Sequence, residues 1–373
     1  MLKLPMRYWF WFWLVVWLGV GCVAETAVSP PQPTPNIPPP TTAVALATAT
    51  SRIASPTPEL AATETAVFTP TLTPTSTLPP PTPTAIPVDR TCPDPPPPAP
   101  EYQRYYLSPR AWPTPQPELA RDGFWLAQPI PGREPLELNL WYPYGYDVNG
   151  RYLIHNGIDA TPPQGTPLLA PAAGTIVKAG PDSHQLYGWR CNWYGELVVL
   201  QLDELWQGQP VYVLFGHVQA IQVAEGQRVE PGDILAEVGL GGAAVLPHMH
   251  LEIRIGSNDF YSTRHPLLWL APPDGQGIIA GRLVDSNGRS WQGVGISLAG
   301  GGLADPINSW SYLNDPHPVV NPDEAWAENF LFGPVPAGEY VVVTRLQDRE
   351  YRATVTVLAG QIVPVKIVID LAQ

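Results

Sequence analysis

Apolar and polar positions divide the chain into four stretches of different pattern. Residues 8–20 are almost wholly apolar and follow Lys3 and Arg7. Residues 23–100 carry neither a strand nor a helix periodicity. Residues 101–273 alternate short runs of β-branched and aromatic residues with Gly/Pro turns, most clearly at 174–179, 196–201, 211–215 and 250–255. No run sustains the 3.6-residue repeat of an amphipathic helix. Short runs with turn residues at close spacing predict antiparallel strands. Residues 274–373 repeat the pattern, with strand-type runs at 332–343, 351–357 and 362–369. The expected fold class is all-β: an antiparallel β-sheet domain at 101–273 and a small β-sandwich at 274–373, after a disordered Pro/Thr-rich stalk.

The apolar run at 8–20 is shorter than the roughly 20 residues a membrane span needs and suits the apolar core of an export signal. It ends in Leu18-Gly19-Val20-Gly21-Cys22, which resembles a bacterial lipoprotein cleavage site, so residues 1–22 are expected to be a signal peptide with Cys22 lipidated. Gly19 stands where that family usually has Leu. An ordinary secretory cut and an uncut anchor are the alternatives, and all three place the rest of the chain outside the cytoplasm. Of the 49 prolines, 22 lie between Pro30 and Pro100. Proline fixes φ and removes the backbone donor, so residues 23–100 read as an extended stalk that holds a domain away from its anchor.

Composition then narrows the function. Twenty Lys+Arg against 33 Asp+Glu give a net charge of −13, which argues against nucleic acid as a partner because neutralising phosphates requires a basic surface. Three cysteines are too few for a disulfide framework or a Cys-rich zinc ribbon. Cys92 and Cys191, in an exported chain, are expected to pair and pin the stalk's exit to the first domain; two unpaired thiols are the alternative.

Four of the seven histidines and one aspartate carry the chemistry. His155-Asn156-Gly157-Ile158-Asp159 places a His and an Asp four apart, on one face of a strand. His248-Met249-His250 sets two rings on one side of another strand. A catalytic zinc takes three protein ligands and leaves one position open. His155, Asp159 and His250 make such a set, and His217 and His248 stand by to move protons and bind an oxyanion. No His-Glu-x-x-His occurs, so a helix-borne zinc protease is excluded.

These motifs, in this order, resemble the lysostaphin-type zinc endopeptidases of bacterial cell-wall hydrolysis. The match runs over about 136–270: His155–Ala160, then residues 163–177, then Phe215-Gly216-His217-Val218, then residues 226–235, and last Pro247-His248-Met249-His250-Leu251-Glu252. The resemblance implies an antiparallel β-sheet core with a groove across one Zn2+ held by His155, Asp159 and His250, with His217 and His248 catalytic. It also implies peptidoglycan stem peptides or cross-bridges as substrate. Departures are Tyr144-Gly145-Tyr146-Asp147, which lacks the family's usual Arg, an apolar loop at 240–245, and a long segment at 181–193 with Trp189 and Trp193. Two other functions stay open: a non-catalytic module that binds wall or activates partner hydrolases, and an extracellular protease acting on Gly-rich proteins. Relatives of the first kind typically lack one of the five site residues, and none is missing here.

His184, His265 and His317 read as structural or exposed. Glu252 shares a strand face with His250 and is read either as its supporting partner or as the ion-pair partner of Arg254. Residues 332–342 and the stretch 281–293 resemble the carboxypeptidase-regulatory or prealbumin-like sandwich. The loop 300–329 stands either as a functional loop or as a disordered insertion.

Overall fold

A computed structural model describes residues 87–132 and 136–371. The expected signal peptide, Cys22 and the stalk up to residue 86 lie outside the described residues. The first eleven strands are β1 (Tyr106–Ala111), β2 (Ile158–Ala160), β3 (Pro167–Leu169), β4 (Gly174–Pro181), β5 (Glu196–Trp206), β6 (Gln209–Gly216), β7 (Val218–Gln219), β8 (Arg228–Val229), β9 (Ile234–Val238), β10 (Met249–Ile255) and β11 (Thr263–Arg264). Among the described residues the only helices are single 3-10 turns at Pro117–Leu119 and Pro266–Leu268. The all-β expectation holds among the described residues, and strand pairing is antiparallel except between Gln276–Val284 and Ile362–Val368, which run parallel.

A seven-stranded antiparallel sheet runs β11-β10-β6-β5-β4-β8, with β2 sharing the outer edge of β10. Its middle is the hairpin of β5 and β6, closed by Gln207 and Gly208, both at positive φ, as a two-residue turn matched to strand twist requires. The central strands alternate strictly. Val198, Leu200, Val213, Phe215, Leu251 and Ile253 enter the main core. Leu197, Val199, Tyr212 and Leu214 face the other way and are covered by Tyr187 and Tyr194. On that second face β10 presents His250, Glu252 and Arg254 opposite Gly216, Leu214 and Tyr212 of β6. β3, β9 and β7 make a separate small sheet.

The remaining strands are β12 (Gln276–Val284), β13 (Arg289–Gln292), β14 (Gly295–Gly300), β15 (Ile307–Trp310), β16 (Phe330–Pro336), β17 (Gly338–Leu346), β18 (Arg349–Val357) and β19 (Ile362–Val368). They form two sheets, β1-β13-β12-β16 with β19 on β12, and β15-β14-β17-β18. A common core of Ile279, Leu283, Ile296, Leu298, Phe330, Phe332, Val342 and Ile367, among others, lies between them. β1 pairs with β13, so chain preceding the zinc-type motifs is built into the C-terminal sheets. Ile278, Ala280 and Leu331 turn outward from those sheets into the main core beside Trp269 and Leu270. The loop 300–329 is not a free insertion. Its Tyr312, Leu313, Val319 and Val320 pack with Tyr144, Tyr146, Ile154 and Phe260.

Cys92 and Cys191 form the expected disulfide, with Cα atoms 5.6 Å apart. Chain on the stalk side of residue 100 is therefore already held against the folded unit.

Candidate metal centre

β2 and β10 bring the two motifs into register, with His250 directly opposite Asp159. Gly157 makes that approach possible: a Cβ there would lie 2.5 Å from the Leu251 carbonyl oxygen and 2.8 Å from His250 Cε1. Glycine is the one residue whose backbone can come this close. His155 Nε2 stands 3.1 Å from Asp159 Oδ1 and 3.3 Å from His250 Nδ1, and His250 Nδ1 is 2.9 Å from Asp159 Oδ1. Ligands about 2.0–2.1 Å from a tetrahedral zinc are separated by about 3.3–3.4 Å, so these three donors are spaced as a metal needs them. All three residues are buried.

The partners of the outer ring nitrogens fix which nitrogen faces the centre. His155 Nδ1 donates to the Tyr142 carbonyl at 2.6 Å, and the Tyr142 ring stacks on the imidazole at 4.2 Å and 8°. His250 Nε2 lies 3.0 Å from Glu252 Oε1. Each ring therefore spends its proton outward and aims a lone pair inward, as a metal-binding imidazole does. Burial opposes the Asp159 charge, but His155 and His250 hold its carboxyl well below the usual range.

Glu252 takes both parts weighed for it. Oε1 serves His250, Asn156 Nδ2 at 2.8 Å and the Tyr194 hydroxyl, while Oε2 accepts from Arg254 Nε at 2.8 Å. Burial works against this carboxylate, yet Arg254 and His250 bring it down to about 2. It stays ionised and keeps His250 in the required tautomer.

His217 and His248 flank the trio. Their ring centroids are 4.9 Å apart, and His248 Nε2 is 3.6 Å from Asp159 Oδ1. His217 Nδ1 faces two carbonyl oxygens, Tyr194 at 3.1 Å and Gly241 at 2.9 Å. His248 Nδ1 faces the Leu246 carbonyl at 2.8 Å. Carbonyls only accept, so both rings carry the proton on Nδ1 and leave Nε2 free to accept. Burial, then the neighbouring His250 and His248, lower His217 to about 3; burial also lowers His248. His217 sits at φ 59°, a left-handed conformation that a side-chain-bearing residue adopts at a cost. His217, His248 and His250 also offer donors within 4.8 Å of one another, but the buried trio with Asp159 adds the carboxylate that offsets a dication's charge.

A cleft runs beside Asp159, lined by Leu138, Leu140, Tyr144 and His265 on one side and by Ile307, Phe332 and Pro334 of the C-terminal sheets on the other. His184 and His317 are exposed; His265 is buried. The sequence motifs did not reveal Tyr142, Tyr194 or the carbonyls of Gly241 and Leu246. A main-chain acceptor has no residue type to betray it. Asn156, inside the first motif, was open to detection.

Residues 153–261 match the model for Peptidase family M23. The DD-carboxypeptidase/endopeptidase Mpg of Neisseria meningitidis serogroup B is 34% identical over 116 residues, 30% of this chain and 24% of that protein. The lipoprotein NlpD/LppB homolog of Pseudomonas aeruginosa is 36% identical over 101 residues, 27% of this chain and 29% of that protein. The chain thus spans about a quarter of the length of these curated relatives. The solved catalytic domain of lysostaphin from Staphylococcus simulans is 25% identical, with a TM-score of 0.28 covering 34% of this chain and 84% of that one. Among the described residues no helix is long and apolar enough to cross a membrane. All five of the converging side chains lie within residues 153–261, the stretch that matches Peptidase family M23.

Proposed function

We propose that this chain is an exported zinc metalloendopeptidase that hydrolyses peptide bonds in peptidoglycan stem peptides or cross-bridges. The observation that carries the reading is the meeting of His155 Nε2, Asp159 Oδ1 and His250 Nδ1 within 3.3 Å of one another, with His217 and His248 beside them. His155 Nε2, Asp159 Oδ1 and His250 Nδ1 would hold one Zn2+. When bound, the metal supplies Lewis acidity at the scissile carbonyl and a water of lowered pKa.

The chain's own residues do the rest. His217 and His248, neutral and with Nε2 exposed to the site, accept a proton as water attacks. Only after that step does either ring carry an Nε2–H to donate, first to the developing oxyanion and then to the departing amine. Tyr194 and Gly241 keep the His217 ring from turning. The cleft beside Asp159 gives the flanking peptide a place to lie. The names of relatives such as the DD-carboxypeptidase/endopeptidase support peptidoglycan as the substrate, and lipoprotein relatives support an envelope location with anchoring at Cys22. Two sheets around one core support the prealbumin-like sandwich reading of the C-terminal part.

The test is digestion of purified peptidoglycan, with new amino termini identified by mass spectrometry. Zinc-loaded protein should release them, and His217→Ala should lower kcat by about 10²-fold or more. Intact peptidoglycan after exposure to zinc-loaded protein overturns the reading.

A further inference from the structure

We propose that Arg90 and Cys92, at the exit of the Pro/Thr-rich stretch, are positioning residues for His217 and Glu252. The proposal rests on the catalytic reading above for its kinetic consequence, and on geometry alone for its structural one.

The contacts form a chain with no gap. Arg90 binds Leu186 twice: its carbonyl accepts from the Leu186 amide at 2.9 Å, and its Nη1 donates to the Leu186 carbonyl at 2.8 Å. Its Nη2 donates to the Asn258 carbonyl at 2.6 Å, and the guanidinium lies 3.8 Å over the Tyr187 ring. Arg254 grips the same two residues from within the domain. It donates to the Tyr187 carbonyl at 2.9 Å and to Asn258 Oδ1 at 3.2 Å. The disulfide from Cys92 then fixes Cys191, three residues before Tyr194. The loop 182–195 is tied at its base by Asp182, whose carboxylate accepts from the amides of Trp193, Tyr194 and Gly195 at 2.9–3.0 Å.

Tyr194 is where this loop meets the site. Its hydroxyl donates to Glu252 and accepts from Arg254 Nη2 at 2.9 Å. Its carbonyl accepts from both the amide and Nδ1 of His217, at 3.0 and 3.1 Å. One residue thus supports the carboxylate that orients His250 and the backbone of a histidine at φ 59°. Strained backbone persists only where its surroundings over-determine it. Tyr194 is fully buried and carries that load, and the strap of Arg90 and Cys92 ties its loop down at Leu186, Tyr187 and Cys191. The long segment at 181–193, anomalous against the family pattern, has this support as its role.

The experiment uses the full chain and two independent variants, Arg90→Ala and Cys92→Ser/Cys191→Ser. The first readout is amide hydrogen exchange on metal-free protein, in peptides covering Tyr194 and His217. Both variants should exchange there at least about 10-fold faster than wild type while peptides of β5, β6 and β10 keep their protection. The second is steady-state kinetics on peptidoglycan fragments, where kcat should fall by about 10- to 100-fold with KM nearly unchanged. Unaltered exchange at Tyr194 and His217 in both variants overturns the proposal, whatever the kinetics show. Wild-type protein inactive on peptidoglycan overturns the catalytic reading and leaves the exchange result to decide the strap.

Discussion

His155 and His250 bind outward through different nitrogens, Nδ1 in one and Nε2 in the other, and so offer opposite ring atoms to one point. That asymmetry follows from local geometry: His155 lies in the irregular stretch before β2, where the Tyr142 carbonyl is close, whereas His250 lies near the start of β10 with Glu252 two residues along the same face. Glu252→Gln removes the charge that both His250 and the fully buried Arg254 need. Leaving a buried cation unpaired costs about 3–5 kcal/mol, and urea denaturation should show a loss of that size. Gly157→Ala drives a methyl into the Leu251 carbonyl and the His250 ring. Zinc affinity, read by chelator competition, should fall by about 10-fold or more. The His-x-His spacing was legible because strand parity puts i and i+2 on one face; the His-x-x-x-Asp pair does not share a strand as expected, since His155 precedes β2 and meets Asp159 across the bend at Gly157. The partners of both motifs were not legible, since Tyr142, Tyr194, Gly241 and Leu246 act largely through carbonyl oxygens that any residue could supply.

Among the elements, runs read at 174–179, 196–201, 211–215 and 250–255 are β4, β5, β6 and β10, each extended by the structure at one or both ends. β2, β3, β7, β8 and β11 are two or three residues long, too short for a period of two to register. The loop between β15 and β16 illustrates what composition hides: it reads as polar and irregular, yet it buries Asp323 and Glu328. Arg121 pairs with Asp323 at 2.8 Å. Burial, and then the Asp323 charge, push Glu328 well above the usual carboxylate range. An acid with a raised folded pKa stabilises the fold at low pH and loses that contribution as pH rises. Glu328→Gln keeps an acceptor for the Asp323 amide and should stabilise the protein at pH 7 by about 1 kcal/mol or more, seen as a higher urea midpoint.

Across the whole molecule, long-range pairings escape any local reading. Nothing in residues 106–111 announces that β1 belongs with β13, because cross-strand partners are chosen by the tertiary core and not by the strand itself. His265 sits where the two halves meet, against Tyr144 and Tyr312. Burial, and then the neighbouring His155, lower it to about 3. The unfolded chain takes up this proton near pH 6.5, the folded chain only near 3. Between those values the unfolded state binds more protons, so stability falls on acidification by about 1.4 kcal/mol per pH unit from this group. His265→Asn retains an acceptor for the Leu267 amide and should remove that part of the slope in urea titrations between pH 6.5 and 4.5.

The Cys92–Cys191 bond spans a sequence separation of 99 and has a mechanical consequence. Tension applied along the N-terminal tether reaches Cys92 and crosses directly to Cys191. Every residue between them is bypassed, His155 and Asp159 included. Single-molecule stretching of the oxidised chain should therefore release about 320–350 Å less contour length than the reduced chain, at about 3.3–3.6 Å per residue. His155 and Asp159, two of the three residues proposed to hold zinc, thus stay off the line of force.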